Sequence, residues 1–300
     1  MPLPKYINPY TDFGFKKLFG EEANKDLLID FLNTLLPKKH QIKTLNFRNP
    51  ERLGVTAGDR RAMFDVYCEA KSGEKFIVEM QKEDQEFFKD RSLYYVAYPI
   101  REQGKKGKNH ETGQVWNYEL KTVYFIGILD FIYDKHDPNP ILIREVSLKD
   151  QLGMEFYEKL QMIYIQMPLF NKTESELETR QDKWLYFFKN LPGLEHIPSI
   201  MKEKVFQKAF HTAEVASMSE PDRLRYEQAL KDYWSYWATI DMAEKRGIEQ
   251  GIKQGMEQGI DIGRTEERIN IARNMKKKEF DIALISEATG LTAEEIERLE

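Results

Sequence analysis

Apolar and polar positions alternate along residues 64–71 and again along residues 75–81, and the period of two reads as a pair of strands. Other stretches carry the longer period of a helix. Leu27, Leu28, Phe31, Leu32 and Leu35 make an apolar stripe over residues 24–36, which Pro37 ends. A first strand is predicted over 42–47, then a polar loop over 49–61. Residues 83–103 read as a helix laid on a sheet through Phe87, Tyr94, Tyr95, Val96 and Tyr98, with Pro99 bending or shortening it. The unbroken apolar run at 124–129 predicts a strand buried on both faces. Asp137-Pro138-Asn139-Pro140 is a turn, followed by strands over 141–146 and 160–170, the latter interrupted by Pro168. The pattern is an α/β chain with a mixed central sheet. From Thr173 onward it is helical. One helix carries Trp184, Leu185, Phe187 and Phe188 and ends at Leu191-Pro192-Gly193, a second covers 201–218, and a third starts near Pro221 and runs towards Glu244.

The two alternating strands are joined by Ser72-Gly73-Glu74, a Gly-containing three-residue loop. Closing Lys71 on Lys75 sets Asp65 opposite Gln81 and Tyr67 opposite Glu79. Those four then share one face, while Phe64, Val66, Cys68, Val78 and Met80 share the other and look like core. Asp65 and Glu79 become diagonal neighbours, roughly 7–8 Å apart. Two carboxylates at that spacing can hold one divalent cation through oxygen. Alternation alone equally describes the solvated face of a half-buried sheet.

Glycine recurs at 247, 251, 255, 259 and 263, and Ile248, Ile252, Met256 and Ile260 follow the first four. Four residues advance a helix by one turn plus about 40°, so the two stripes run side by side. Five glycines in a helix cost roughly 4–5 kcal/mol against alanine, and close packing on a partner helix would offset that. Beyond it, Ile269, Ile271, Ala272 and Met275 suggest one helix. Asp281 caps another, and Thr292 with Glu295 forms a capping box. The last helix is acidic (Glu294, Glu295, Glu297, Glu300), unlike a major-groove reader. The tail reads as an oligomerisation or protein-contact module.

Composition changes this picture little. The chain has 300 residues, 41 % hydrophobic, with a formal charge of −5, so DNA binding needs a local basic surface. Arg101, Lys105, Lys106 and Lys108 are the candidates for phosphate contacts. A single cysteine, Cys68, allows no disulfide within the chain, which suits a reducing, cytoplasmic setting. No apolar run is long enough to span a membrane. His40, His110, His136, His196 and His211 are scattered, with no zinc spacing, and no Walker loop or nucleophile elbow occurs.

The spelling FDVYC…FIVEMQ around Asp65, Glu79 and Gln81 resembles the PD-(D/E)xK nuclease fold. Within it the likeness is to the Rpn family of recombination-promoting nucleases and transposase-like proteins. DFGFKKLF at residues 12–19 resembles that family's opening motif, and the likeness extends over about residues 5–300. It implies a nuclease-like domain over 1–172, a helical support region over 173–246 and an oligomerising tail over 247–300. It further implies a Mg²⁺- or Mn²⁺-dependent DNA endonuclease of recombination or of mobile-element or phage defence. Asp65 and Glu79 would ligate metal with the Met80 carbonyl, Gln81 would orient water or phosphate, and Asp12, Lys16, Arg91 and Tyr94 would be accessory. Gln81 stands where many relatives carry Lys and cannot act as a cation. Implied partners are DNA, a second copy of the chain, and a shorter C-terminal product of the same gene, for which Met242 and Met256 are conceivable starts. The alternative is a non-catalytic nuclease-like module that binds DNA or protein and assembles through its tail.

Overall fold

The computed structural model describes residues 4–52, 62–82, 87–104 and 118–299. They form two compact units, 1–231 and 232–300. The first is built on a six-stranded mixed sheet. In chain order its strands are β1 (Leu45–Phe47), β4 (Val66–Ala70), β5 (Lys75–Gln81), β6 (Val123–Leu129), β7 (Ile143–Lys149) and β8 (Glu155–Gln166). The spatial order is β1-β4-β5-β6-β8-β7, with β5, β6 and β8 parallel and the remaining pairs antiparallel. β2 (Glu51–Arg52) and β3 (Ala62–Met63) pair as a small separate ribbon.

Both faces of the sheet are covered. Helix α3 (Phe88–Gln103), the crossover between parallel β5 and β6, packs Phe88 and Val96 on Tyr67, Ile77, Phe125, Met162 and Tyr164. The helix continues past Pro99 to Gln103. On the opposite face Val66, Cys68, Phe76, Val78, Ile126 and Ile163 are buried in turn. The second helical layer holds α1 (Asp12–Phe19), α2 (Lys25–Leu35), α4 (Arg180–Asn190) and α5 (Lys204–Ala213). Trp184 of α4 meets Phe19 of α1, Phe31 of α2 and Phe206 of α5. Asp30 of α2 accepts from both the Trp184 indole and Arg180, at 2.8 Å each. Helices α4 and α5 therefore share one aromatic core with α1 and α2 inside the first unit.

The hairpin register differs from expectation by two residues. Gly73 has φ +101°, so it takes the last place of a three-residue loop, Lys71-Ser72-Gly73, which closes Ala70 on Glu74. Tyr67 then pairs with Ile77 and Val66 with Val78. A shift of two preserves which face each residue occupies, but it sets Asp65 across from Glu79 instead of diagonal to it. Tyr67 is buried at 1 % exposure and donates to Glu102 at 2.6 Å, so it belongs to the core and not to a polar site. Phe64 packs on Tyr95 of α3, because the chain leaves the extended run at Asp65.

One helix, α6 (Glu220–Lys277), runs through what the sequence divides into a helix, a glycine repeat and a tail. In the second unit α7 (Ile282–Thr289) and α8 (Ala293–Glu297) close a small core of Ala272, Ile285 and Ile296. The Thr292–Glu295 capping box is formed; Asp281 takes the N-cap position without a side-chain hydrogen bond. A methyl group on any repeat glycine would meet nothing within 4 Å, and Ile248, Ile252, Met256 and Ile260 are exposed. No partner for either stripe exists among the described residues of the chain itself. No described helix is long and apolar enough to cross a membrane.

Candidate active site

The β4–β5 ladder ends at Val66 and Val78, and side chains continue the pairing beyond it. The Asp65 amide donates to Glu79 Oε1 at 3.1 Å, and the Met80 amide donates to Asp65 Oδ2 at 2.8 Å. Each acid thus caps the other strand's backbone, and this exchange fixes both carboxylates. Gln81 Nε2 donates to Glu79 Oε2 at 2.9 Å. On Asp65, Oδ1 accepts no hydrogen bond among the described residues. Asp65 and Gln81 line a cleft of about 170 Å³, with Tyr10, Thr11, Asp12 and Met80.

Helix α1 forms the other wall, and a cap places it. Thr11 Oγ1 accepts from Gly14 N at 3.0 Å and donates to the Asn8 carbonyl at 2.8 Å. A Cβ on Gly14 would lie 2.2 Å from the Asn8 oxygen, so only glycine admits this approach. The cap brings Asp12 to the cleft, where it pairs with Lys16 at 2.6 Å. On the far side α3 carries Arg91, whose guanidinium lies 3.8 Å from Glu79 Oε2 and over the Tyr95 ring at 5.4 Å. Beside Glu79 in the sheet is Gly127, where an added Cβ would come within 3.2 Å of the Tyr164 ring.

The electrostatics follow from burial. Glu79 is 3 % exposed, and desolvation, then the neighbouring Asp65 charge, push its carboxyl well above the usual range. Desolvation raises Asp65 to about 6, against the Met80 hydrogen bond and the charges of Lys16 and Arg91. Cys68 lies on the other face, and burial pushes its thiol up, so it is no nucleophile.

The structure brings Asp65, Glu79, Gln81 and the Met80 backbone together, with Asp12, Lys16 and Arg91 close by. Tyr94 is not among them: it is 42 % exposed and bonds Tyr98 at 2.6 Å. The residue against Arg91 is Tyr95, four positions on, as helix geometry places it. Spacing alone allows either Tyr94 at i+3 or Tyr95 at i+4 beside Arg91. Arg101 is exposed at the end of α3, and Lys105, Lys106 and Lys108 lie outside the described residues. Among the described residues no group of three or more His, Cys, Asp or Glu could hold a metal. Two carboxylates and a carbonyl still fit Mg²⁺, which keeps several waters and commonly takes one or two carboxylates plus substrate phosphate. The unpartnered Oδ1 of Asp65 is an open oxygen donor of that kind.

The family model described as PD-(D/E)XK nuclease family transposase matches residues 9–243. The chain belongs to this family. The PD-(D/E)XK match takes in the sheet, α1 to α5, the facing acids and the opening turns of α6, and it stops ahead of the glycine repeat. No curated protein and no solved structure matches the chain.

Proposed function

We propose that this PD-(D/E)XK family member is a divalent-metal-dependent DNA endonuclease that hydrolyses phosphodiester bonds at Asp65 and Glu79. One observation carries the reading: the carboxylates of Asp65 and buried Glu79 face each other at the open end of a hairpin, and Asp65 lines a cleft. A bare negative pair in that position is costly, and a divalent cation relieves the cost. Asp65, Glu79 and the Met80 carbonyl would hold Mg²⁺ or Mn²⁺, which when bound supplies an activated water and Lewis acidity at the phosphate. Gln81 holds Glu79 in place and can orient water through its amide oxygen. Asp12, paired with Lys16, lines the cleft, and Arg101 with Lys105, Lys106 and Lys108 would supply backbone contacts. The exposed glycine and isoleucine stripes of 247–263 support assembly of copies through the tail, and a shorter C-terminal product would pair there too.

Nicking of supercoiled plasmid tests this. Wild type should cut with Mg²⁺ or Mn²⁺ and stop with EDTA. Asp65→Ala and Glu79→Ala should each lose about 10²-fold or more. Cutting that survives both substitutions removes the site assignment. A second reading, a nuclease-like binding module, is favoured by one observation: an amide, not an ammonium, stands beside Glu79. Folded protein that binds DNA and cuts nothing with either metal would select it.

A further inference from the structure

A phosphoryl-transfer site needs positive charge where the phosphate oxygens gather charge. Gln81 supplies none, and its amide is already engaged with Glu79. Helix α3 brings a guanidinium to the same carboxylate oxygen. Arg91 stands 3.8 Å from Glu79 Oε2, its planar group braced on the Tyr95 ring, and Tyr95 is itself fixed edge-on against Phe64 beside Asp65. At 3.8 Å Arg91 forms an ion pair with Glu79 beside the cleft acids. Two lysines are rivals: Lys16, paired with Asp12 at 2.6 Å, and Lys82, which lines the cleft beside Gln81.

We propose that Arg91, positioned by Tyr95, is the cation that binds the scissile phosphate, replacing from α3 the charge that Gln81 cannot carry on β5. The inference rests on the nuclease reading and assigns a role within that site. A guanidinium suits it: the group stays charged at every working pH, stacks on a ring and grips phosphate through two parallel N–H donors. Arg91 then has two states. Without substrate it lies beside Glu79; with DNA it turns its donors to the phosphate while Tyr95 keeps the stem in place.

The test is a charge relocation. Arg91→Ala should cut about 100-fold more slowly, Arg91→Lys about tenfold, and Arg91→Ala/Gln81→Lys should return to within about tenfold of wild type. Tyr95→Leu, which removes the ring under the guanidinium, should fall between wild type and Arg91→Ala. Mg²⁺ affinity by calorimetry supplies the second measurement. Removing a like charge should leave it unchanged or tighter in Arg91→Ala. A parallel loss of Mg²⁺ affinity and cutting would mean that Arg91 merely holds Glu79, and would overturn the proposal. So would cutting by Arg91→Ala within about threefold of wild type, or a larger loss in Lys16→Ala or Lys82→Ala. If wild type cuts nothing, the nuclease reading fails separately and duplex binding in Ca²⁺ still decides. Arg91→Ala must then bind about tenfold more weakly and lower the salt slope by about one, and unchanged binding overturns it.

Discussion

Asp65 and Glu79 owe their chemistry to a conflict between sheet and solvent. Their backbone neighbours need hydrogen-bond acceptors where the ladder stops, and the carboxylates provide them. The same geometry removes water from both acids and raises both above their ordinary values. A proton-binding group whose folded value is raised gives most stability when protonated. Stability from Asp65 is therefore lost as pH rises from 3.8 to about 6, and stays lost above. Metal-free Asp65→Asn should consequently melt higher than wild type at about pH 7.5, with the difference vanishing near pH 4. Mg²⁺ should raise the Tm of wild type and leave the variant unmoved. A variant that melts no higher than wild type at neutral pH would show that burial does not strain this carboxyl.

At the scale of elements, the site depends on two short local devices. The cap of α1 is one: Thr11→Ala removes an acceptor for Gly14 and a donor to Asn8, and should cost about 1–2 kcal/mol in urea melts. It should also loosen Asp12, so cutting should fall more than stability predicts. The loop of the hairpin is the other, since its glycine sets the register that opposes the two acids. Helix α6 behaves differently. Its five repeat glycines meet nothing among the described residues, so alanine at Gly251, Gly255 and Gly259 should each add about 1 kcal/mol of helix stability to an isolated chain. If copies pack along the stripe, the same substitutions should weaken assembly. Sedimentation velocity beside helix melting separates the two, and stabilised helices with unaltered mass would rule out close packing at these glycines.

At the scale of the molecule, the N-terminal segment is held by residues far along the chain. The Asn8 amide donates to the Tyr226 hydroxyl at 2.9 Å, across 218 positions, and Lys17 pairs with Asp222 at 3.0 Å. Both partners lie in the first turns of α6, inside the first unit. Tyr226 is fully buried, so Tyr226→Phe should strand the Asn8 amide and cost about 1–3 kcal/mol, read by denaturant unfolding. An unchanged midpoint would mean that the first turns of α6 do not hold the N-terminal segment.

Much of this was legible in the residues. Period-two alternation named both strands of the hairpin and put Asp65, Glu79 and Gln81 on one face, because face parity depends only on the count of residues along a strand. The apolar run at 124–129 named the central strand, which is buried along its whole length. The FDVYC…FIVEMQ spelling named the family. Other features needed the tertiary structure. The two-residue register shift turns on which loop position takes the positive φ, and composition does not distinguish the candidates. Tyr67 alternates like a site residue, yet α3 and Glu102 draw it into the core. Tyr95 displaces Tyr94 because the direction from which α3 meets the sheet decides which side chain faces Arg91. The unbroken α6 overrides the weak helix preference of its glycines, since each residue added to an existing helix costs far less than starting a new one. Sequence determined the local periods and the inventory of chemistry; tertiary contact decided the pairing, because bringing distant groups together depends on packing that no local window contains.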